Sequence, residues 1–233
     1  MKKFIFDVDG TLTPSRQKID KGFEKFFLDF CKNNDVYLVT GSDKDKTVEQ
    51  VGDVIYNLAR RCYNCSGNDV YEHGKGIYTN DWRLPRSART WLKDKLEESS
   101  FPLRTGNHIE ERPGMVNFSV VGRNATIGER KLYVEHDEDR DERNIIAELF
   151  KKDFPDIEAV VGGETGIDIF PKGYCKSQIV KDFQSDDVLH FFGDRQDPAG
   201  NDYSLAKVIL DNKLGKCYHV NSWENTWELL KTI

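Results

Sequence analysis

MKKFIFDVDGTLTPSR, residues 1–16, decides how the rest of the chain is read. Three apolar residues, Phe4-Ile5-Phe6, run into Asp7, and Asp9 follows two positions later. A short buried strand over 3–6 is expected, opening onto a polar end. Residues i and i+2 of an extended segment face the same way, so both carboxylates are expected to reach one substrate. Gly10 then lets the chain turn sharply.

Working outward, Phe23, Phe26, Phe27, Phe30 and Cys31 recur at helical spacing, which predicts an amphipathic helix. Val36–Val39 predicts a second strand, ending in Thr40-Gly41-Ser42-Asp43. Val48, Val51, Val54, Ile55 and Leu58 mark another helix, with Ser42 or Asp43 able to cap it. Strand, helix, strand, helix at this spacing predicts a parallel sheet wrapped by helices. The middle of the chain reads differently. Helices are expected over 82–98 and 139–154, a strand over 115–121, and a strand pair over 157–162 and 166–170, which together suggest an α+β unit. After Lys176 the first pattern returns, with a helix through Ile179 and Phe183, a strand over 188–192, a helix from Asp202, a strand over 217–220 and a C-terminal helix. The expected fold is α/β: a Rossmann-like parallel-sheet core over 1–80 and 177–233, with an inserted α+β cap over 81–176.

Composition narrows the partners. The 233 residues are 38% hydrophobic and 32% charged, enough apolar surface to bury a core. The formal net charge of -6 argues against nucleic acid, whose backbone needs a basic face, but leaves room for a small anionic substrate on a local arginine cluster. No apolar run is long enough to span a membrane, and the apolar stretch behind Lys2-Lys3 is too short for a signal peptide, so a cytoplasmic protein with no membrane partner is expected. Five scattered cysteines read as reduced thiols, and Cys62-Tyr-Asn-Cys65 lacks a second pair to complete a zinc site.

In an open parallel sheet, ligands sit beyond the carboxyl ends of the strands. Three such ends here carry polar groups: Asp7-x-Asp9-Gly10-Thr11, Thr40-Gly41-Ser42, and Gly193-Asp194 with Gly200-Asn201-Asp202 downstream. Lys176 precedes the helix that leads into the last of them. Taken singly, these are a solvated turn, a helix cap, a loop of turn formers and a surface lysine. Their arrival together, in order, at strand ends is the argument for a site. Converging acids repel and resist desolvation unless a cation lies between them, and Mg²⁺ suits carboxylates plus a substrate phosphate. One carboxylate can then attack phosphorus as nucleophile while the other moves protons.

FDVDGTLT, the strand-ending TGSD, Lys176 and FFGD…GND resemble the haloacid dehalogenase superfamily of phosphotransferases. FDVDGTLTPSRQ, ERPGMVNFSVVGR…ERK, GGETGIDIFPKGYCK and FFGDRQDPAGND resemble, more narrowly, the eukaryotic-type phosphomannomutases over essentially the whole chain. The resemblance implies interconversion of mannose 6-phosphate and mannose 1-phosphate, which supplies GDP-mannose synthesis. It implies Asp7 as nucleophile and Asp9 as acid/base. It implies Mg²⁺ held by Asp7, Asp9, Asp194 and Asp202, with Asp9 contributing through its carbonyl. Thr40, Ser42 and Lys176 would hold the phosphoryl group, with either hydroxyl able to serve. Arg16, Arg112, Arg123, Arg130, Gly166 and Asp168 would bind substrate, arginine being suited to a second phosphate by its planar fork. Glucose or mannose 1,6-bisphosphate would be the activator, and the protein a homodimer through its cap. Three positions depart from the family pattern: Thr40 where glycine is usual, Gly166 where serine is common, and Cys175 where an acid usually precedes the lysine. A sugar-phosphate phosphatase on the same scaffold, and a non-catalytic binding protein with a degenerate site, are the competing readings.

Overall fold

The computed structural model describes residues 1–233 and divides them into two units, Met1–Asn80 with Gly173–Ile233, and Asp81–Lys172. The first unit is built on strands β1 (Lys2–Phe6), β2 (Val36–Val39), β3 (Arg61–Asn64), β4 (Asp69–Glu72) and β5 (Lys75–Thr79), joined by β10 (Val188–Gly193) and β11 (Gly215–His219). They form one sheet in the order β11-β10-β1-β2-β3-β4-β5. The run from β11 to β3 is parallel, and β4 and β5 add antiparallel strands at the edge. The expected α/β core with its parallel sheet is therefore observed, extended by a hairpin.

Successive strand residues send their side chains to opposite faces, and this sorts the core into two layers. Phe4, Phe6, Leu38, Cys62 and Phe192 face one way, onto helices α1 (Lys21–Asn33), α3 (Asp53–Leu58) and α8 (Trp223–Leu230), supplying Phe23, Phe27, Ile55, Tyr56 and Leu230. Ile5, Val39, Tyr63 and Phe191 face the other way, onto α7 (Tyr203–Asp211) with Leu205 and Ile209, and onto Ile179. Both faces of the parallel strands are thus covered, which is why Phe4-Ile5-Phe6 is an unbroken apolar run. Each such side chain contributes about 1.5–3 kcal/mol on burial.

Several elements differ from the sequence expectation for identifiable reasons. The helix expected through Leu58 is two: α2 (Lys44–Val51) and α3 part at Gly52, whose φ of +82° no helix accommodates. The segment after Cys175 is a 3₁₀ helix, Lys176–Asp182, with i→i+3 bonds from Gln178 N–H to Cys175 O at 3.0 Å through to Phe183 N–H to Val180 O at 3.2 Å, and Phe183 closes it in an extended conformation. The boundary expected after residue 176 falls earlier. Gly173–Lys176 belongs to the first unit, where Asn68 Nδ2 donates to Tyr174 O at 3.1 Å. None of the five cysteines forms a disulfide. Cys31, Cys62 and Cys65 are buried, and burial raises the Cys31 and Cys62 thiols, Cys31 up to about 12, so these two pack rather than react.

The second unit carries an antiparallel sheet in the order β6-β7-β9-β8, from β6 (Ile109–Arg112), β7 (Met115–Phe118), β8 (Ile157–Gly162) and β9 (Gly166–Pro171). Helices α4 (Arg86–Glu98), α5 (Ile127–Arg140) and α6 (Glu142–Asp153) complete it. Its own core joins Leu92, Phe101, Phe118, Tyr133, Phe150 and Ile169. This is an inserted α+β unit.

Candidate active site

Three chain segments at the strand ends of the first unit bring acids to one lysine. Asp7 follows β1, and its N–H still donates to Phe192 O on β10 at 2.9 Å, so the backbone is held by the sheet. Asp194 follows β10. Asp202 stands at the start of α7. Lys176 Nζ donates to Asp7 Oδ1 at 2.5 Å and to Asp202 Oδ1 at 2.7 Å. Lys176, Asp7 and Asp202 are 1%, 4% and 0% exposed, so this is a buried charge cluster and not a surface ion pair. Two glycines make room for it. A Cβ on Gly10 would overlap Asp194 Oδ2, and one on Gly193 would lie 2.5 Å from Asp202 Oδ2.

One carboxylate oxygen from each of Asp7, Asp194 and Asp202 lies within 4.8 Å of the others. Three carboxylates against one ammonium leave two negative charges over. Burial, then the neighbouring Asp202 carboxylate, pushes Asp194 up to about 7. Burial likewise raises Asp7 well above the ordinary range, with Asp202 and Asp194 adding to the shift against the pull of Lys176. Burial works against the Lys176 ammonium, but Asp202 and Asp7 outweigh it and raise its pKa. The lysine therefore stays charged while Asp7 and Asp194 resist ionisation. An all-oxygen donor set short of two positive charges fits a hard divalent cation. Within the set, Asp202 is the most committed to the protein, since its Oδ2 also accepts from Arg195 N–H at 3.2 Å.

Asp9 and Asp7 have different partners within the protein. β1 ends at Phe6, so neither acid lies in the strand. Asp9 Oδ1 accepts from Arg16 N–H at 2.7 Å and from Gln50 Nε2 at 2.9 Å, and Oδ2 accepts from Ser42 Oγ at 3.4 Å. Its side chain is outside the Asp7–Asp194–Asp202 group. Arg16, at φ +57°, meets Asp9 through its backbone. Thr40 and Ser42 follow β2 and are buried, with Ser42 N–H donating to Thr40 Oγ1 at 3.1 Å. Asp43 caps α2, accepting from Lys46 N–H at 2.9 Å, which leaves Ser42 to face Asp9.

The second unit gathers the other expected residues among themselves. Glu110 and Arg112 sit two apart on β6, hence on one face, and Arg112 bonds Glu110. Arg123 Nε lies 3.0 Å from the same Glu110 oxygen without an aligned hydrogen bond. Burial, then repulsion from Arg112, lowers Arg123 to about 10. Arg130 Nη2 reaches Glu164 at 3.2 Å, while its Nη1 is buried without a partner. Asp168 accepts from Asn117 Nδ2 at 2.7 Å and stands 3.9 Å from Arg112. At Gly166, a Cβ would lie 2.6 Å from Asn117 Nδ2, so the side chain of Asn117 occupies the space that another residue would need. Asn117 Oδ1, Ser119 Oγ and Thr165 Oγ1 are also buried and unpartnered. Buried arginines and orphaned polar atoms together suit a polyhydroxylated anion.

Sequence reading did not find Gln50, Glu110 or Asn117. Gln50 carried a signal: it shares the buried face of α2 with Thr47 and Val51, where a polar side chain needs a partner.

A family model described as eukaryotic phosphomannomutase matches residues 23–233. The chain is 31% identical over 245 residues to the phosphomannomutase of Saccharomyces cerevisiae, covering 98% of this chain and 92% of that one. It is 32% identical over 214 residues to the phosphomannomutase of Drosophila melanogaster, covering 86% and 84%. In fold it is similar to a haloacid dehalogenase-like hydrolase from Bacteroides thetaiotaomicron, with a TM-score of 0.61 and 13% identity across 99% of this chain and 98% of the other.

Proposed function

Since the chain belongs to the eukaryotic phosphomannomutase family, we propose that it interconverts mannose 6-phosphate and mannose 1-phosphate through a phosphorylated Asp7. The observation that carries the reading is the buried Lys176 ammonium bridging Asp7 and Asp202, with Asp194 alongside. In the forward step an Asp7 oxygen forms a bond to phosphorus as the bond from phosphorus to the sugar oxygen breaks, and Asp9 delivers its proton to that oxygen. In the return step Asp9 takes the proton from the sugar hydroxyl that attacks the aspartyl phosphate. Lys176 orients Asp7, and Asp202 orients Lys176. The Thr40 and Ser42 hydroxyls and the N–H groups of their turn hold the transferring group. Asp7, the Asp9 carbonyl and Asp194 would hold Mg²⁺, with Asp202 beside them. Bound there, the ion would offset charge on the phosphoryl oxygens. In the second unit Arg112, Arg123 and Arg130 receive the second phosphate, and Asp168 and the backbone at Gly166 meet sugar hydroxyls; by the same resemblance Arg16 binds substrate. Glucose or mannose 1,6-bisphosphate primes Asp7.

We further propose a cytoplasmic homodimer joined through the second unit, a reading that the family resemblance supports. Exposed Ile127, Leu132, Ile145 and Leu149 on α5 and α6 support that surface.

The test supplies mannose 1-phosphate, Mg²⁺ and catalytic glucose 1,6-bisphosphate. Mannose 6-phosphate without inorganic phosphate is expected. Inorganic phosphate released at the rate of substrate loss would replace the mutase with a sugar-phosphate phosphatase.

A further inference from the structure

We infer that Gln50 is the positioning residue for Asp9: its amide clasps the acid/base carboxylate to the loop after β1 and sets where that carboxylate can deliver its proton. The inference rests on the function proposed above. Gln50 Nε2 donates to Asp9 Oδ1 at 2.9 Å and to Thr13 Oγ1 at 3.1 Å. Its backbone carbonyl accepts from Ile19 N–H at 2.8 Å. One residue of α2 therefore grips the loop at three points, 9, 13 and 19. Gln50 and Thr13 are buried, so these bonds are shielded from water. The remaining contacts of the carboxylate are a backbone donor, Arg16 N–H, and the longer Ser42 Oγ bond at 3.4 Å. Of the side chains, Gln50 makes the shorter contact.

The orientation of the amide follows from chemistry. The Asp9 carboxylate only accepts, so the NH₂ end must face it, with Thr13 Oγ1 as its second acceptor, leaving Oε1 without a partner. A buried amide that leaves its own oxygen unsatisfied in order to hold a carboxylate is poorly explained as filler, because the unmet acceptor costs about 1–3 kcal/mol. The arrangement is accounted for if the placement of Asp9 matters to the reaction.

Proton delivery gives a readout that scaffold damage does not. Transfer from glucose 1,6-bisphosphate to Asp7 breaks a bond to a sugar oxygen, which leaves with the Asp9 proton. Transfer from acetyl phosphate to the same Asp7 oxygen releases acetate, which leaves as an anion and takes no proton. General acid assistance is worth roughly 10²–10⁴-fold, so misplacing Asp9 should slow the first donor selectively. The experiment measures single-turnover phosphorylation of Asp7 from both donors in wild type, Gln50→Met and Gln50→Glu, with Asp7→Asn as blank. The sugar-to-acetyl rate ratio is expected to fall by at least about fivefold in either variant. A smaller change in both variants, or parallel loss of both donors, overturns the inference while leaving the mutase reading standing. Failure of both variants to fold would assign Gln50 to the scaffold and overturn it as well. A wild type that accepts phosphate from neither donor sinks the functional reading first, and the inference with it.

Discussion

Lys176 Nζ lies 2.5 Å from Asp7 Oδ1, although 169 positions of sequence separate the two residues. The ammonium is also the only basic group bonded to Asp202 within the cluster. Lys176→Met should leave two buried carboxylates facing each other without their cation. Losing one partner of a buried pair typically costs about 3–5 kcal/mol. Denaturant unfolding in EDTA should show a loss of that order, together with abolished turnover. Unfolding that matches wild type would mean that the lysine is not what neutralises Asp7.

Asp194 supplies a pH signature. Its carboxyl is pushed up to about 7 in the folded protein, above the ordinary 3.8, so between these values the folded state binds the proton and the unfolded state releases it. Stability from this group is therefore present at acid pH and lost as pH rises towards 7 and beyond. Asp194→Asn removes the charge that must be buried. In EDTA it should stabilise the protein increasingly between pH 4 and 8, by at most about 4 kcal/mol. With saturating Mg²⁺ the order should reverse, since the ion binds the carboxylate. Denaturation curves at four pH values, with and without the ion, check both signs.

Gly10→Ala tests the close approach beside the nucleophile. Gly10 has φ +80°, and an added Cβ would overlap Asp194 Oδ2. The substitution should lower turnover by at least about 100-fold, the scale of a misplaced reacting group, while costing only about 1–3 kcal/mol of stability. Retained activity would show that Asp194 need not stand where it does.

Arg123→Gln tests the second unit. Burial and the neighbouring Arg112 already oppose the Arg123 charge, and Glu110 keeps its bond to Arg112 without it. Thermal stability should hold or rise. A hydrogen bond to a charged group contributes about 1.5–3 kcal/mol, so KM for the sugar phosphate should rise about 10–100-fold, with a smaller change in kcat. Unchanged KM would remove Arg123 from the phosphate site.

The elements that the sequence made legible are those with one dominant period. Phe23, Phe27 and Cys31 mark α1, and the apolar runs at 4–6 and 36–39 mark β1 and β2. The antiparallel β4–β5 hairpin was not foreseen, because Lys75–Thr79 is exposed throughout and carries no apolar alternation. Helix α5 was missed for a related reason: its exposed face holds Ile127 and Leu132, which blurs the amphipathic pattern. Within the site, strand ends announced Asp7, Thr40 and Asp194, since topology alone places such positions together. The company that Asp9 keeps was not legible. Whether it turns towards Asp7 or towards Gln50 depends on the loop after β1, and the backbone turn at Arg16 that supplies one of its donors leaves no mark in composition.

Strand β10 lies between β1 and β11, so the end of the sheet beyond β1 is filled by residues made after the inserted unit. During synthesis on a ribosome, a nascent chain that has reached residue 172 holds β1 through β5 but offers the far edge of β1 nothing to pair with. Phe6 then lacks Phe192, its stacked neighbour at 4.8 Å. The inserted unit is continuous in sequence and has its own core, so vectorial folding can finish it first. The emerging first half must keep its sticky β1 edge from aggregating until the last sixty or so residues arrive, which makes late truncations of this chain candidates for chaperone capture.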